Sequence, residues 1–352
     1  MQTLTTRTPG WRTALTGCTT RCVRNLGGFV AGRSTKLYRA QPERTLAAVG
    51  RSPREQEAMT FVCRPTPVDS LSPAAETLAV LRAIVFAIAV SASPLGVSAQ
   101  LAPGNMAGVS WGHIHMNVSD VEEHVRIWVE HFGGVRADVP VATVVLPNTL
   151  LMFNAQAPTG GTQGSSIDHF GFSVPDVAAF LERWRADGLE VESEFNGFGD
   201  LPQAYLRLPD NIRVELEEVP SLTEVAVPYH VHLYTDGDPQ TLRDWFVDQF
   251  SMEPRERGFN PHTADVPGMN VSFSPSDEPL EPSRGRAVDH IGFEIENLEA
   301  FVESLTASGV ILDAEYRVFE SLGIGFAFFT DASGTYWELT ERLGSLAERG
   351  GQ

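Results

Sequence analysis

After Ala99 the chain has no cysteine, since all three (Cys18, Cys22 and Cys63) precede it. The body can therefore form no disulfide, thiolate nucleophile or cysteine metal site. Positive charge is also scarce there. Of 26 Lys and Arg and 45 Asp and Glu, 12 and 5 precede Gln100, which leaves 14 basic and 40 acidic side chains and a formal charge of −26. A field of that sign repels phosphate backbones and anionic lipid, so no nucleic-acid partner is expected. A membrane-spanning run is missing too: AIVFAIAVSASPLGV (83–97) falls short of the about 20 apolar residues that a transmembrane helix needs.

That run has the look of an export signal instead. Arg82 precedes it, and the small residues Val97-Ser98-Ala99 suit cleavage before Gln100. The expectation is a signal peptide at about 80–99, an exported (periplasmic or secreted) mature protein, and no stable membrane insertion after cleavage. Residues 1–58 are rich in Arg, Ser and Thr, and a signal buried so deep does not act as one, so translation is expected to start at Met59. Residues 1–99 are set aside as a leader region.

The body is repetitive. IDHFGFSV (167–174) and VDHIGFEI (288–295) are nearly the same octet, GHIHMNV (112–118) matches YHVHLYT (229–235), and PDNIRVELEE (209–218) matches DASGTYWELTE (331–341). Three matched blocks in one order, about 120 residues apart, mark a duplication. Each copy is itself double: alternating strands HIHMNV, HFGFSV, HVHLYT and HIGFEI are followed by amphipathic helices VEEHVRIWVEHF, VAAFLERWRAD, QTLRDWFVDQF and LEAFVESLTAS. Ser119-Asp120, Asp176 and Asp238 stand at helix starts, and Gly133, Gly188 and Gly309 at helix ends. Short strands follow each helix, so the unit is β-α-β-β-β, used four times. The predicted class is α+β, with modules paired along the chain into domains 108–219 and 228–345, each pair curling a mixed sheet around one site.

Each predicted domain carries the same three potential ligands: His113, His169 and Glu215 in the first, His230, His290 and Glu338 in the second. Two neutral imidazoles and a carboxylate can occupy one face of an octahedral metal and leave positions open; Fe(II) or Mn(II) suits that set best, and Zn(II) can use it. His115 and His232 lie two residues beyond the opening histidines and point to the same strand face, so either member of each H-x-H is a candidate. Asp168 and Asp289 precede their histidines and are expected to point away, as strand-start caps.

The paired β-α-β-β-β modules, the opening HIHMNVSD, the two D-H-x-G-F strands and the endings PDNIRVEL and DASGTYWEL resemble the vicinal oxygen chelate superfamily, which includes glyoxalase I, extradiol dioxygenases and bleomycin and fosfomycin resistance proteins. The resemblance covers about 105–345. It implies that His113, His169, Glu215, His230, His290 and Glu338 are metal ligands, and that the metal chelates two adjacent oxygens of a small substrate while enolate, catecholate or oxyanion charge develops. A homodimer is a candidate assembly. The chain departs from glyoxalases in the regions NTLLMFNAQA (148–157) and GMNVSFSPSD (268–277), where no acid sits in the strand and Asn154 and Gln156 of the first are the weak substitutes. It departs from extradiol enzymes in having no histidine in 170–214 or 291–337, which leaves Tyr205, Tyr316 and Tyr336 as candidate acid/base groups. The expected function is a metal-dependent enzyme of glyoxalase or dioxygenase type; the alternative is a binding module that sequesters a small molecule, with the histidines in packing roles.

Overall fold

The computed structural model describes residues 101–346. The expected leader, its start at Met59 and the Ala99 cleavage point lie outside the described residues. No helix among those described is long and apolar enough to cross a membrane.

The four β-α-β-β-β modules are all present. The first runs β1 (Val109–Val118), α1 (Val121–Glu130), β2 (Val135–Ala137), β3 (Ala142–Leu146) and β4 (Thr149–Ala155); the second β5 (Ile167–Val174), α2 (Val177–Ala186), β6 (Glu190–Asn196), β7 (Pro202–Leu208) and β8 (Ile212–Glu218). The third runs β9 (Val227–Thr235), α3 (Pro239–Phe250), β10 (Glu253–Arg257), β11 (Asn260–Val266) and β12 (Met269–Pro275); the fourth β13 (Val288–Ile295), α4 (Leu298–Ala307), β14 (Leu312–Phe319), β15 (Ile324–Thr330) and β16 (Tyr336–Glu341).

Local chemistry sets the helix ends. Asp120, Asp176 and Asp238 each accept a backbone N–H of the first turn through the side chain. Ser119 does not share that task, and donates instead to Asp210 at 2.6 Å. Gly133, Gly188 and Gly309 follow three of the helices with φ of +73°, +74° and +101°, a region closed to most side chains.

Module pairing differs from the expected order. One eight-stranded sheet runs β14-β15-β16-β13-β1-β4-β3-β2 and the other β10-β11-β12-β9-β5-β8-β7-β6. The first module therefore shares a sheet with the fourth, and the second with the third. The predicted division into 108–219 and 228–345 does not describe the sheets. The connectors explain the exchange. The segment 219–226 between β8 and β9 is short and lets β9 return antiparallel to β5. The longer segments 156–166 and 276–287 cross from sheet to sheet and are bonded to each other, with Thr159 N donating to Gly285 O, Ala287 N to Gly160 O, and the Arg286 guanidinium to the carbonyls of Gly161 and Gln163.

The sequence halves persist in the helix-side core. Trp128 and Phe132 on and after α1 pack against Phe170, Phe172, Phe180 and Trp184 of the second module, while Phe246 and Phe250 of α3 pack against Phe293 and Trp337 of the fourth. All ten of these side chains are essentially inaccessible to water, and each such burial contributes roughly 1.5–3 kcal/mol. Halves thus bury their helices together and exchange their strands. Expressed separately, 101–219 and 220–352 should each leave β1, β5, β9 or β13 without its antiparallel partner, remain poorly folded by near-UV circular dichroism, and combine one-to-one on mixing. Two independently folded monomeric halves would contradict the exchanged sheets.

Candidate metal centres

Exchange of modules also regroups the predicted ligands. His113, His290 and Glu338 come together on the outer sheet, formed by modules one and four; His169, His230 and Glu215 come together on the inner sheet, formed by modules two and three. The six residues are those expected, but the sets His113/His169/Glu215 and His230/His290/Glu338 are not the sets that meet. The cause is strand pairing. His113 and His115 on β1 face Gly292 and His290 on β13, and Glu338 on β16 lies beside Gly292 from the other side. The inner sheet repeats this with His230 and His232 on β9, Gly171 and His169 on β5, and Glu215 on β8.

The glycine of each octet is what lets the set close. A Cβ on Gly171 would lie 2.6 Å from His230 Cε1 and 2.7 Å from its Nδ1, and a Cβ on Gly292 would overlap the His113 ring. The opening-strand imidazole therefore lies across the glycine and reaches the carboxylate beyond it.

In the outer site Glu338 Oε2 is 2.9 Å from His113 Nε2 and 3.0 Å from His290 Nε2. In the inner site Glu215 Oε2 is 2.9 Å from His169 Nε2 and 3.8 Å from His230 Nε2. Several of these nitrogens are buried without a well-aligned hydrogen bond: both ring nitrogens of His113, Nε2 of His169 and Nδ1 of His230. Two of them, His113 Nε2 and His169 Nε2, lie 2.9 Å from a carboxylate oxygen without alignment to it, as donors that converge on a common point would. The ligand atoms of His113, His115, His290 and Glu338 all lie within 4.8 Å of one another, as do those of His169, His230 and His232. His115 and His232 thus join the clusters, but within each H-x-H it is His113 and His230 that come within 4 Å of the carboxylate; His232 Nε2 is 2.8 Å from Ser274 Oγ. The donor set suits a divalent cation.

Asp168 and Asp289 do not point away. Asp168 Oδ1 is 2.6 Å from His169 Nδ1, and Asp289 Oδ1 is 2.7 Å from His290 Nδ1. Arg213 donates to Asp168, and Asn117 and the Gly285 N–H donate to Asp289. Each aspartate turns back along its strand and fixes the ring so that Nε2 faces the carboxylate. The twice-written Asp-His dipeptide was the signal for this role. Tyr229 was missed: its hydroxyl donates to Glu215 Oε1 at 2.7 Å, while Gly112 holds the matching place beside His113. Of the candidate tyrosines, Tyr205 lies 5.2 Å from the His169 ring and Tyr336 5.7 Å from the His290 ring, whereas Tyr316 packs against the helix-side core.

Burial and charge shift the groups in opposite senses. Burial pushes His115 and His232 down to about 3, and holds His230 well below its ordinary value. Burial opposes the charge on His290 as well, but hydrogen bonds to Asp289 and Glu338 outweigh it and raise this residue to about 9; His169 rises for the same reason through Asp168 and Glu215. For Glu215 and Glu338, burial would favour the neutral acid, yet the neighbouring histidines overcome it and keep both ionised well below the usual carboxylate range.

The two concave faces differ beyond the ligands. Beside His113 and His115 the adjoining strands place Leu150, Met152, Val145 and Ala137, whereas the matching positions beside His230 and His232 are Asn270, Ser272, Asp265 and Arg255. The apolar positions of the outer face belong to a small cluster that includes Ile324, Leu343 and Leu346. The inner face opens into a cavity of about 610 Å³ reaching Glu215, His230, His232, Tyr205 and Tyr229.

Residues 110–216 match the model of the Glyoxalase/Bleomycin resistance protein/Dioxygenase superfamily. Among solved structures, glyoxalase I from Zea mays is 16% identical with a TM-score of 0.53, covering 68% of this chain and 95% of that one. A mutant of Zea mays glyoxalase I is 18% identical with a TM-score of 0.55 over the same shares. A candidate dioxygenase from Bacillus subtilis subsp. subtilis str. 168 is 12% identical with a TM-score of 0.55, covering 72% of this chain and 91% of that one. At these identities the likeness carries the superfamily's fold to both sheets, and no reaction with it. No curated protein sequence matches the chain.

The pKa of His290 gives the metal-free protein a signed pH dependence. A folded-state value of about 9, above the unfolded value of about 6.5, stabilises the protein fully below pH 6.5, and that contribution is lost as pH rises through 9. Chelator-treated protein should lose on the order of 2 kcal/mol from this residue between pH 6.5 and 9.5, read by chemical denaturation, and His290→Gln should flatten the slope. An unchanged slope in His290→Gln would contradict the assignment.

Proposed function

We propose that the chain is a metal-dependent enzyme of the superfamily's glyoxalase or dioxygenase type, acting at the inner site on a small molecule that presents two adjacent oxygens. The observation that carries this reading is the pairing, at the inner site, of a His169/His230/Glu215 set containing unpartnered buried nitrogens with a cavity that leads to it. The outer set, His113/His290/Glu338, would hold a second ion beside an apolar cluster. Fe(II) or Mn(II) is favoured by two imidazoles and one carboxylate, and Zn(II) is compatible. Export of the mature protein and a homodimeric assembly belong to the same proposal.

When bound, the metal would polarise the chelated oxygens and stabilise negative charge that develops on them. The chain's own residues supply the rest. Asp168 holds the proton of His169 on Nδ1 and leaves Nε2 free to coordinate, with Arg213 keeping Asp168 ionised. Tyr229 keeps its proton on the hydroxyl and donates it to Glu215 Oε1, which directs Oε2 towards the imidazoles. Tyr205 stands at the cavity floor under the Arg213 guanidinium, 3.6 Å above its ring, where its hydroxyl can donate to a bound oxygen; burial raises its pKa and keeps that proton in place. A sequestering module would need the cavity but not the converging, unpartnered imidazoles.

Protein purified at neutral pH should hold about two divalent ions per chain by elemental analysis. Substituting His113 and His290 together by Ala should remove about one ion, whereas substituting His113 and His169 together should remove both. Loss of a single ion from the second pair would contradict the exchanged sets, and full retention in every variant would return the histidines to packing roles.

A further inference from the structure

The inner cavity differs from the outer face most at its rim. In the outer sheet Val139 and Val141 between β2 and β3 and Leu322 between β14 and β15 pack onto the small apolar cluster, and one aromatic at these tips, Phe319, stands 53% exposed without an aromatic partner across from it among the described residues. The matching tips of the inner sheet carry Phe198 between β6 and β7 and Phe259 between β10 and β11. These rings are 63% and 84% exposed, and they meet only edge to face at 5.4 Å, across the mouth of the cavity. The two tips are drawn together closely: a Cβ on Gly258, at φ +56°, would lie 3.4 Å from the Phe198 Cβ. Two large apolar side chains held in water above a polar cavity are costly unless something apolar covers them.

Charge within the cavity narrows the occupant further. Its lining includes Glu215, Glu217, Glu218 and Glu256 but only two cations, Arg255 and Arg257. Both are already engaged. Arg257 Nη2 donates to both oxygens of Glu217 at 2.9 Å and its guanidinium lies over the Tyr229 ring, while Arg255 donates to Asp265 at 2.6 Å. A phosphate or carboxylate tail would find no free counter-charge along the wall and would face Glu218 and Glu256, whereas Glu217 is paired with Arg257.

We infer that Phe198 and Phe259 are specificity-determining residues that hold a flat, uncharged apolar group of the substrate between them, while the two chelating oxygens reach inward past Tyr205 to the inner site. This inference rests on the proposed metal site for the position of the oxygens, but the rim contrast stands on its own. An edge-to-face pair opens readily to admit a ring, and ring-on-ring contact adds to the area buried.

The test uses full-length metal-loaded protein, with metal content measured first. Two chelators with the same head, acetohydroxamate and benzohydroxamate, differ by the ring alone, and 4-carboxybenzohydroxamate adds an anion at its far end. By calorimetric titration benzohydroxamate should bind at least about tenfold tighter than acetohydroxamate, and tighter than its carboxylated form. Phe198→Ala and Phe259→Ala should each reduce the ring preference several-fold while leaving acetohydroxamate binding unchanged, and Phe198→Leu should fall between. Both residues are exposed, so neither change threatens folding. Metal-loaded protein that binds both simple hydroxamates equally, or keeps its ring preference in the alanine variants, overturns the inference alone. Protein that holds no metal overturns the functional reading beneath it.

Discussion

The missing side chain at Gly171 and Gly292 is the constraint on which both sites depend. Each glycine lies between an opening-strand histidine on one neighbour and a glutamate on the other, and any Cβ there would collide with the imidazole. Without that gap the histidine could not lie across the strand and approach the carboxylate. The octet is therefore written as Asp-His-x-Gly for a joint reason: the aspartate orients its own neighbour, the histidine supplies one candidate ligand, and the glycine admits a second candidate from another module. Because the admitted ligand comes from the opposite half of the chain, the glycines also tie the formation of each site to the exchange of strands.

Much of this was legible in the sequence. Alternation and helical periodicity marked all four modules, the aspartate caps and terminal glycines marked their helices, and duplication singled out the six residues that the structure gathers into two clusters. Pairing of the modules was not legible. An opening strand with H-x-H on one face is equally compatible with β5 or β13, since both octets offer the same His-x-Gly face, and the choice is made by crossing segments 156–166 and 276–287, whose hydrogen bonds to each other have no periodic signature. Asp168 and Asp289 were misjudged because strand alternation places their Cβ on the other face, whereas a short carboxylate can still turn back to its neighbour's Nδ1 at 2.6–2.7 Å. Tyr229 gave no signal at all, being an aromatic residue on an apolar strand.

Duplication then allowed the two sites to diverge. Beside the outer candidate ligands, register-matched positions are Leu150, Met152, Val145 and Ala137, and Leu343 and Leu346 after the last strand pack with them. Around the inner ligands the same positions are polar or charged, the carboxylate is steadied by Tyr229, and a cavity remains. The two sites thus differ in the polarity of the side chains beside them, while the candidate ligands themselves are similarly buried in both. The same ligand set can serve both, since the surrounding side chains decide whether an ion meets solvent and substrate or only protein.

The central claim is that the ligands are shared between the halves of the chain. Anomalous diffraction from crystals grown with a bound transition metal tests it most directly. The account predicts two peaks, one within bonding distance of His113, His290 and Glu338 and the other within bonding distance of His169, His230 and Glu215. A peak bonded to His113, His169 and Glu215 together, or no peak at either cluster, would contradict it.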